Sequence, residues 1–389
     1  MKTLNRAIAQ QTHQRAVAEG LVDPHDFKAA VYYLREALDY RIDQLQKHFP
    51  ATTLHAVAIK TNNQPQVLRH LVQRGMGLEA ASLEEVQLAV AAGCPAERIV
   101  FDSPVKTQAE INYVHRELPG MQVNANSLEE LQRYPHDFSG QLGLRINPER
   151  RSDAPAIFDV STAQSKFGVP LSQRKAILEA VRNGPKLSGL HLHMGSDMHD
   201  FAPHLKAVEA LVELAEELKA AGQAISWLDI GGGLLFGEEA PYRLEDFTRA
   251  LLQIPGIAQY RLITEYGKYV HHFNSLVVSR VEYVTPGQAG APDLAYVHVG
   301  ADLFVRKVYS NLPIYYPCVA LPRPDAGERP EKPYRLVGPL CFAGDVLYEA
   351  IKLPELREGD LVALLHTGAN TMSMWSGHCS RTPPPHFFM

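Results

Sequence analysis

Four kinds of residue sit at the ends of apolar runs in this sequence, and their chemistry converges. LHAVAIKTN (54–62) has five apolar residues among its first six and leads into Lys60. HLHMGS (191–196) carries His193 and Ser196, DIGGGL (229–234) carries Gly231, Gly232 and Gly233, and TEYGKY (264–269) carries Glu265 and Gly267. A lone lysine at a strand end ordinarily points to water. Held at a barrel mouth it would lose solvation, its pKa would fall from about 10.4, and it could condense with a carbonyl. Singly, a glycine triplet reads as a turn, a strand-end histidine as a satisfied core residue and a glutamate as solvated. Together they offer an amine, a flat imidazole and a carboxylate, with bare amides that could cradle a phosphate beside Ser196 and Gly267. That set describes a pyridoxal phosphate site: Lys60 bonds the cofactor's aldehyde, His193 stacks on the ring and Glu265 keeps the ring nitrogen protonated. A protonated ring is a deep electron sink, which favours reactions through a carbanion at Cα such as decarboxylation.

The elements that must bring these residues to one rim read as a rhythm. Strands are predicted at 54–59, 98–101, 121–124, 142–146, 187–193, 226–230 and 261–265, with a short segment at 77–81 completing eight. Between them fall helices at 66–74, 83–92, 107–118, 171–182, 201–221 and 244–253, and one opened by Ser127 and Glu130 at capping-box spacing. Gly75 and Gly93 end two of them as left-handed caps. Eight strands alternating with helices are the count of a (β/α)8 TIM barrel, although a doubly wound open sheet alternates in the same way. Upstream, 31–45 has helical spacing, and residues 1–25 are polar and weakly patterned up to Asp23-Pro24. Past residue 270 come short β-rich runs at 277–284, 294–299, 334–338 and 361–365, with a proline-rich exposed loop at 322–333. The expected organisation is a cofactor-binding barrel over 30–270 and an all-β domain over 271–389 joined by 1–29.

Composition bounds the rest. The 389 residues are 46% hydrophobic and 21% charged, and the net charge of -5 gives no basic footprint for nucleic acid. The first twenty residues lack a signal-peptide core, and no run approaches the ~18 apolar residues that span a bilayer, so a soluble, cytoplasmic protein without a membrane partner is expected. Cys94, Cys318, Cys341 and Cys379 are widely spaced with no CxxC pair, against a disulfide framework or a metal site.

The strings AIKTN, RINP, SKFG, HLHMGS, DIGGGL, EYGK, GPLCFAGDVL and GANTMSMWSGHCSR fall in the order seen in fold-type III pyridoxal phosphate decarboxylases, the group of diaminopimelate and ornithine decarboxylases. The resemblance spans roughly residue 30 to the end. It implies an alanine-racemase-like barrel, a β domain, and a homodimer in which the partner supplies a catalytic cysteine, here Cys341. It also extends the cofactor-binding set to Lys268 and Asn370. The departures concern substrate. Phe342 stands where diaminopimelate and ornithine decarboxylases have an acid that reads a distal amine. Asn311, four residues before Tyr315, stands for an arginine, Asn370 for a tyrosine, and Lys268 for the arginine of EPGR. Arg306, Lys307, His378 and Arg381 are candidate anion-binding groups near the remodelled pocket. The expected substrate is therefore an amino acid lacking a free distal ammonium, a citryl conjugate of siderophore biosynthesis, with diaminopimelate the alternative. A racemase would place arginine where Glu265 stands. A regulatory homologue without catalysis is countered by Lys60 and Cys341.

Overall fold

The computed structural model describes residues 4–235, 242–310, 312–321, 323 and 327–389. The chain divides into two compact units, one of residues 41–270 and one of 1–40 with 271–389.

The chain opens with helix α1 (Arg6–Ala18), strand β1 (Ala29–Tyr33) and helix α2 (Arg35–His48). The strand–helix alternation then runs β2 (Leu54–Ala58), α3 (Pro65–Gln73), β3 (Gly77–Ala80), α4 (Leu83–Ala91), β4 (Ile99–Phe101), α5 (Gln108–Glu117), β5 (Gln122–Ala125) and α6 (Leu128–Leu131). It continues through β6 (Gln141–Asn147), β7 (Val169–Pro170), α7 (Arg174–Asn183), β8 (Gly189–His191), α8 (Ala202–Ala220), β9 (Trp227–Asp229), α9 (Leu244–Leu251), β10 (Arg261–Thr264) and α10 (Gly267–His271).

Eight of these strands pair in parallel in the order β5-β4-β3-β2-β10-β9-β8-β6, and β5 also pairs with β6, so the sheet closes into a barrel. The alternative of an open doubly wound sheet is thereby excluded. The two-residue β7 pairs with β6 outside the ring. Burial on both faces explains the apolar runs: all five residues of β2 are buried. Trp227 fills part of the interior, and a Cβ on Gly189 would lie 2.1 Å from its ring. That glycine is there for room. Ser82, Thr107 and Ser127 each accept a hydrogen bond from the backbone three residues on. Glu130 does not return to Ser127; its carboxylate takes the buried Lys106 Nζ at 2.8 Å and the Asn126 amide at 3.0 Å.

The other unit continues with β11 (Ser275–Thr285), β12 (Asp293–Val297), α11 (Val305–Val308), β13 (Cys318–Leu321), β14 (Glu331–Val337), β15 (Val346–Pro354), β16 (Leu361–Leu365) and β17 (His386–Phe388). They pair in the order β13-β16-β11-β12-β14-β15, and β1 lies antiparallel to β11 and parallel to β17.

Several sequence expectations need correction here. Residues 29–33 are strand, not helix: AAVYY is β-rich and wholly buried, and the helix starts only at Arg35. The N-terminal stretch forms α1, which buries Ala9, Thr12, His13 and Ala16. Two alanines, a threonine and a histidine at these positions give a contact face with little apolar signal. Of the expected loop at 322–333, Glu331–Pro333 belong to β14, Arg323 and 327–328 are exposed, and the other positions up to 326 lie outside the described residues. Strands β13, β15 and β17 were not anticipated. Among the described residues no helix is long and apolar enough to cross a membrane.

Candidate functional site

Lys60 sits in a 3-10 turn, Ile59–Thr61, that follows β2 directly. Its Nζ donates to both oxygens of Glu79, the third residue of β3, at 2.9 and 2.8 Å. The Lys60 side chain is 48% exposed while that of Glu79 is fully buried, so the carboxylate lies beneath the amine. Desolvation works against the ammonium, but Glu79 and Glu265 outweigh it and hold Lys60 above the usual lysine range. The expected lowered pKa is thus corrected: the sequence shows the strand end but not the acid on the next strand. Burial raises the Glu79 carboxyl to about 7, against the pull of Lys60.

Four more strand ends complete a buried cluster. Asp102 follows β4, Arg145 lies on β6, His191 ends β8, and Glu265 follows β10. Arg145 pairs with Asp102 at 2.7 Å. His191 lies between two acids, its Nδ1 3.4 Å from Asp102 and its Nε2 3.6 Å from Glu265. Glu265 would be raised by burial, yet the imidazoles and Lys60 hold it well below the usual carboxylate range. Asp229, facing Glu265 with only burial and negative charge to dominate it, is pushed well above. His193 is two residues past β8; burial lowers it against the pull of Glu265, and its Nδ1 lies 3.4 Å from the Glu265 carboxylate and 3.2 Å from the Gly232 amide.

The glycine loop is narrower than the sequence suggests. The Gly231 amide donates to Asp229 at 2.9 Å and that of Gly232 to His193, so two of the three expected amides are engaged. Gly267 donates to the Glu265 carbonyl at 2.8 Å. The Gly233 amide and the Ser196 hydroxyl have no hydrogen bond among the described residues, and they are what the loop can offer an anion. Gly233 adopts φ +88° and its Cβ would fall 1.7 Å from the Gly195 carbonyl, so only glycine fits. Lys268 is paired with Asp197 at 2.6 Å. Pyridoxal phosphate requires an amine, an acid for its ring nitrogen and a phosphate cradle. Lys60, the buried Oε1 of Glu265 that lacks a hydrogen bond, and Gly233 with Ser196 fit those needs.

The other expected residues belong to the β unit. Cys341 and Phe342 are exposed on a loop pinned by Asp345, whose carboxylate accepts from Leu340 at 2.7 Å and Ala301 at 2.6 Å. Phe342 stacks on Tyr309 with ring centroids 5.4 Å apart, and His378 lies 6.2 Å from Phe342 and hydrogen-bonds the Tyr309 hydroxyl. Tyr315 is exposed, Asn370 takes a left-handed φ of 57°, and Asn311 lies outside the described residues. Arg306 and Lys307 stand on α11; Lys307 donates to the Ile314 carbonyl at 2.9 Å, and Arg381 pairs with Asp302 at 2.9 Å. Sequence reasoning missed Glu79, Asp102, Arg145, His191 and Asp197. The doubled histidine of HLH and the arginine of RINP were the available signals.

The pyridoxal-binding domain of the pyridoxal-dependent decarboxylases matches residues 35–272. The diaminopimelate decarboxylase of Aquifex aeolicus is 29% identical over 90% of this chain and 84% of its own length. That of Vibrio cholerae is 30% identical over 83% of this chain and 78% of its own. The crystal structure of Helicobacter pylori diaminopimelate decarboxylase complexed with L-lysine superposes with a TM-score of 0.83 at 23% identity, covering 93% of this chain and 91% of that one, a likeness of fold. These relatives overturn the expectation of a citryl-conjugated substrate and of siderophore biosynthesis. The physical case for it also weakens, since Lys307, His378 and Arg381, offered as carboxylate binders, already have partners within the β unit. With the match lying on the barrel itself, the chain belongs to the pyridoxal-dependent decarboxylases of fold type III, the diaminopimelate and ornithine decarboxylase group, and uses pyridoxal phosphate to decarboxylate a small amino acid.

Proposed function

We propose that the amino acid is diaminopimelate. The observation that carries this reading is the 27–30% identity to diaminopimelate decarboxylases across 83–90% of the chain.

Pyridoxal phosphate, when bound, supplies the sink for the electron pair released as the bond from Cα to the carboxylate breaks. Lys60 would hold it, its Nζ leaving Glu79, which is placed to take the ammonium's proton. Glu265 would accept a hydrogen bond from the protonated ring nitrogen, His193 would pack against the ring, and Gly233 with Ser196 would bind the phosphate. In a homodimer, Cys341 of the partner subunit would complete each site.

Carbon dioxide release from diaminopimelate, ornithine and lysine at matched concentrations tests the substrate. Diaminopimelate is expected to turn over fastest, and equal or faster release from ornithine rejects it. Mixing Lys60→Ala with Cys341→Ala protein is expected to recover part of the activity, because some heterodimers hold one intact site. No recovery after proven subunit exchange rejects the shared site.

A further inference from the structure

His191 is not part of the cofactor-binding set assigned above, yet it is fully buried at the centre of the charged cluster. Its two ring nitrogens face two different carboxylates, Asp102 at 3.4 Å and Glu265 at 3.6 Å, and neither has a hydrogen-bond partner among the described residues. A neutral imidazole has one N–H and one bare lone pair, so in either tautomer a lone pair would face a buried carboxylate. Only the doubly protonated ring offers a proton to both. Charge bookkeeping agrees: Arg145 and His191 match Asp102 and Glu265 when Asp229 keeps its proton.

We propose that His191 is a positioning residue, a permanently charged imidazolium that, anchored through Asp102 to Arg145, holds Glu265 ionised and oriented for the cofactor's ring nitrogen. The groups that face it support this. Burial alone would discharge the ring, but Asp102, Glu265 and Asp229 raise it to about 10. Asp102 is in turn lowered by Arg145 and His191 against its own burial. The same three residues, Asp102, His191 and Glu265, have the spacing of a metal-ligand set. Arg145 beside Asp102 supplies positive charge there already.

The inference rests on the assignment of Glu265 to the ring nitrogen, and two measurements separate the two. In the apoprotein labelled with 15N-histidine, one of the 17 histidines is expected to stay doubly protonated at pH 9, where ordinary imidazoles are neutral. No such signal overturns the proposal, and so does a stoichiometric divalent ion in the purified apoprotein. With cofactor bound, the pH titration of its absorbance is followed in wild type, His191→Gln and Glu265→Gln. The acid limb is expected to move up by about 1–3 pH units in His191→Gln, because Glu265 loses its cation. Borohydride trapping on Lys60 should persist in that variant. An unmoved limb overturns the proposal. If Glu265→Gln leaves the spectrum unchanged, the assignment of Glu265 is wrong and the role of His191 toward the cofactor falls with it. Should His191→Gln not fold, the wild-type 15N spectrum decides alone.

Discussion

At the scale of single residues the site depends on which side chain shares its proton with which. Glu79 holds Lys60 charged, so Glu79→Gln is expected to lower the amine's pKa and speed its acylation by acetic anhydride at pH 8 in the apoprotein; an unchanged rate would deny the pair its influence. His191 makes a second expectation with a definite sign. Its folded value is raised to about 10, against an ordinary value near 6.5 when unfolded. The stability it contributes is therefore complete below about pH 6.5 and is lost as pH rises toward 10. Urea unfolding of the apoprotein should show a decline of up to about 1.4 kcal/mol per pH unit between pH 7 and 10. That slope should be absent in His191→Gln. Lys60, His193 and Glu265 were legible because each ends an apolar run with a residue type that does chemistry. Glu79, Asp102 and Arg145 were not, because charge pairing between strands leaves no trace in local pattern, and the substrate preference read from Phe342 and Asn311 is overturned by the relatives.

Elements show where pattern suffices. The helices after β2 and β3 read well because periodicity and the left-handed glycines Gly75 and Gly93 mark the same boundaries. Strand β1 misled because a run as short as Val31-Tyr32-Tyr33 fits either period, and only its two neighbouring strands settle it. The turn after β9 carries a prediction. Gly233→Ala must both strain a left-handed backbone and displace the Gly195 carbonyl, a cost of about 1–3 kcal/mol or more. It is expected to lower the apoprotein's melting temperature and to weaken pyridoxal phosphate binding in equilibrium dialysis. A variant with wild-type values in both would show that the loop relaxes freely.

For the whole molecule, the division of the chain matters more than the number of its elements. One unit is continuous, residues 41–270, while the other is assembled from both sides of it. Helix α1 belongs to the core of that second unit: Ala9 and Ala16 are fully buried in a cluster with Leu276, Val278 and Leu365. Ala16→Asp is expected to cost about 3 kcal/mol or more by burying an unpaired carboxylate, read as a fall in urea midpoint. Little change would mean that α1 is dispensable. The parallel pairing of Val31–Tyr33 with His386–Phe388 has a consequence for synthesis on the ribosome. The barrel can close as soon as Thr264 has emerged, but Tyr32, made first, waits without its C-terminal neighbour strand until almost everything else has been translated. Pairing with β11 covers one edge of β1 earlier, so only the edge that receives Val31–Tyr33's parallel partner stays unpaired until His386–Phe388 arrive.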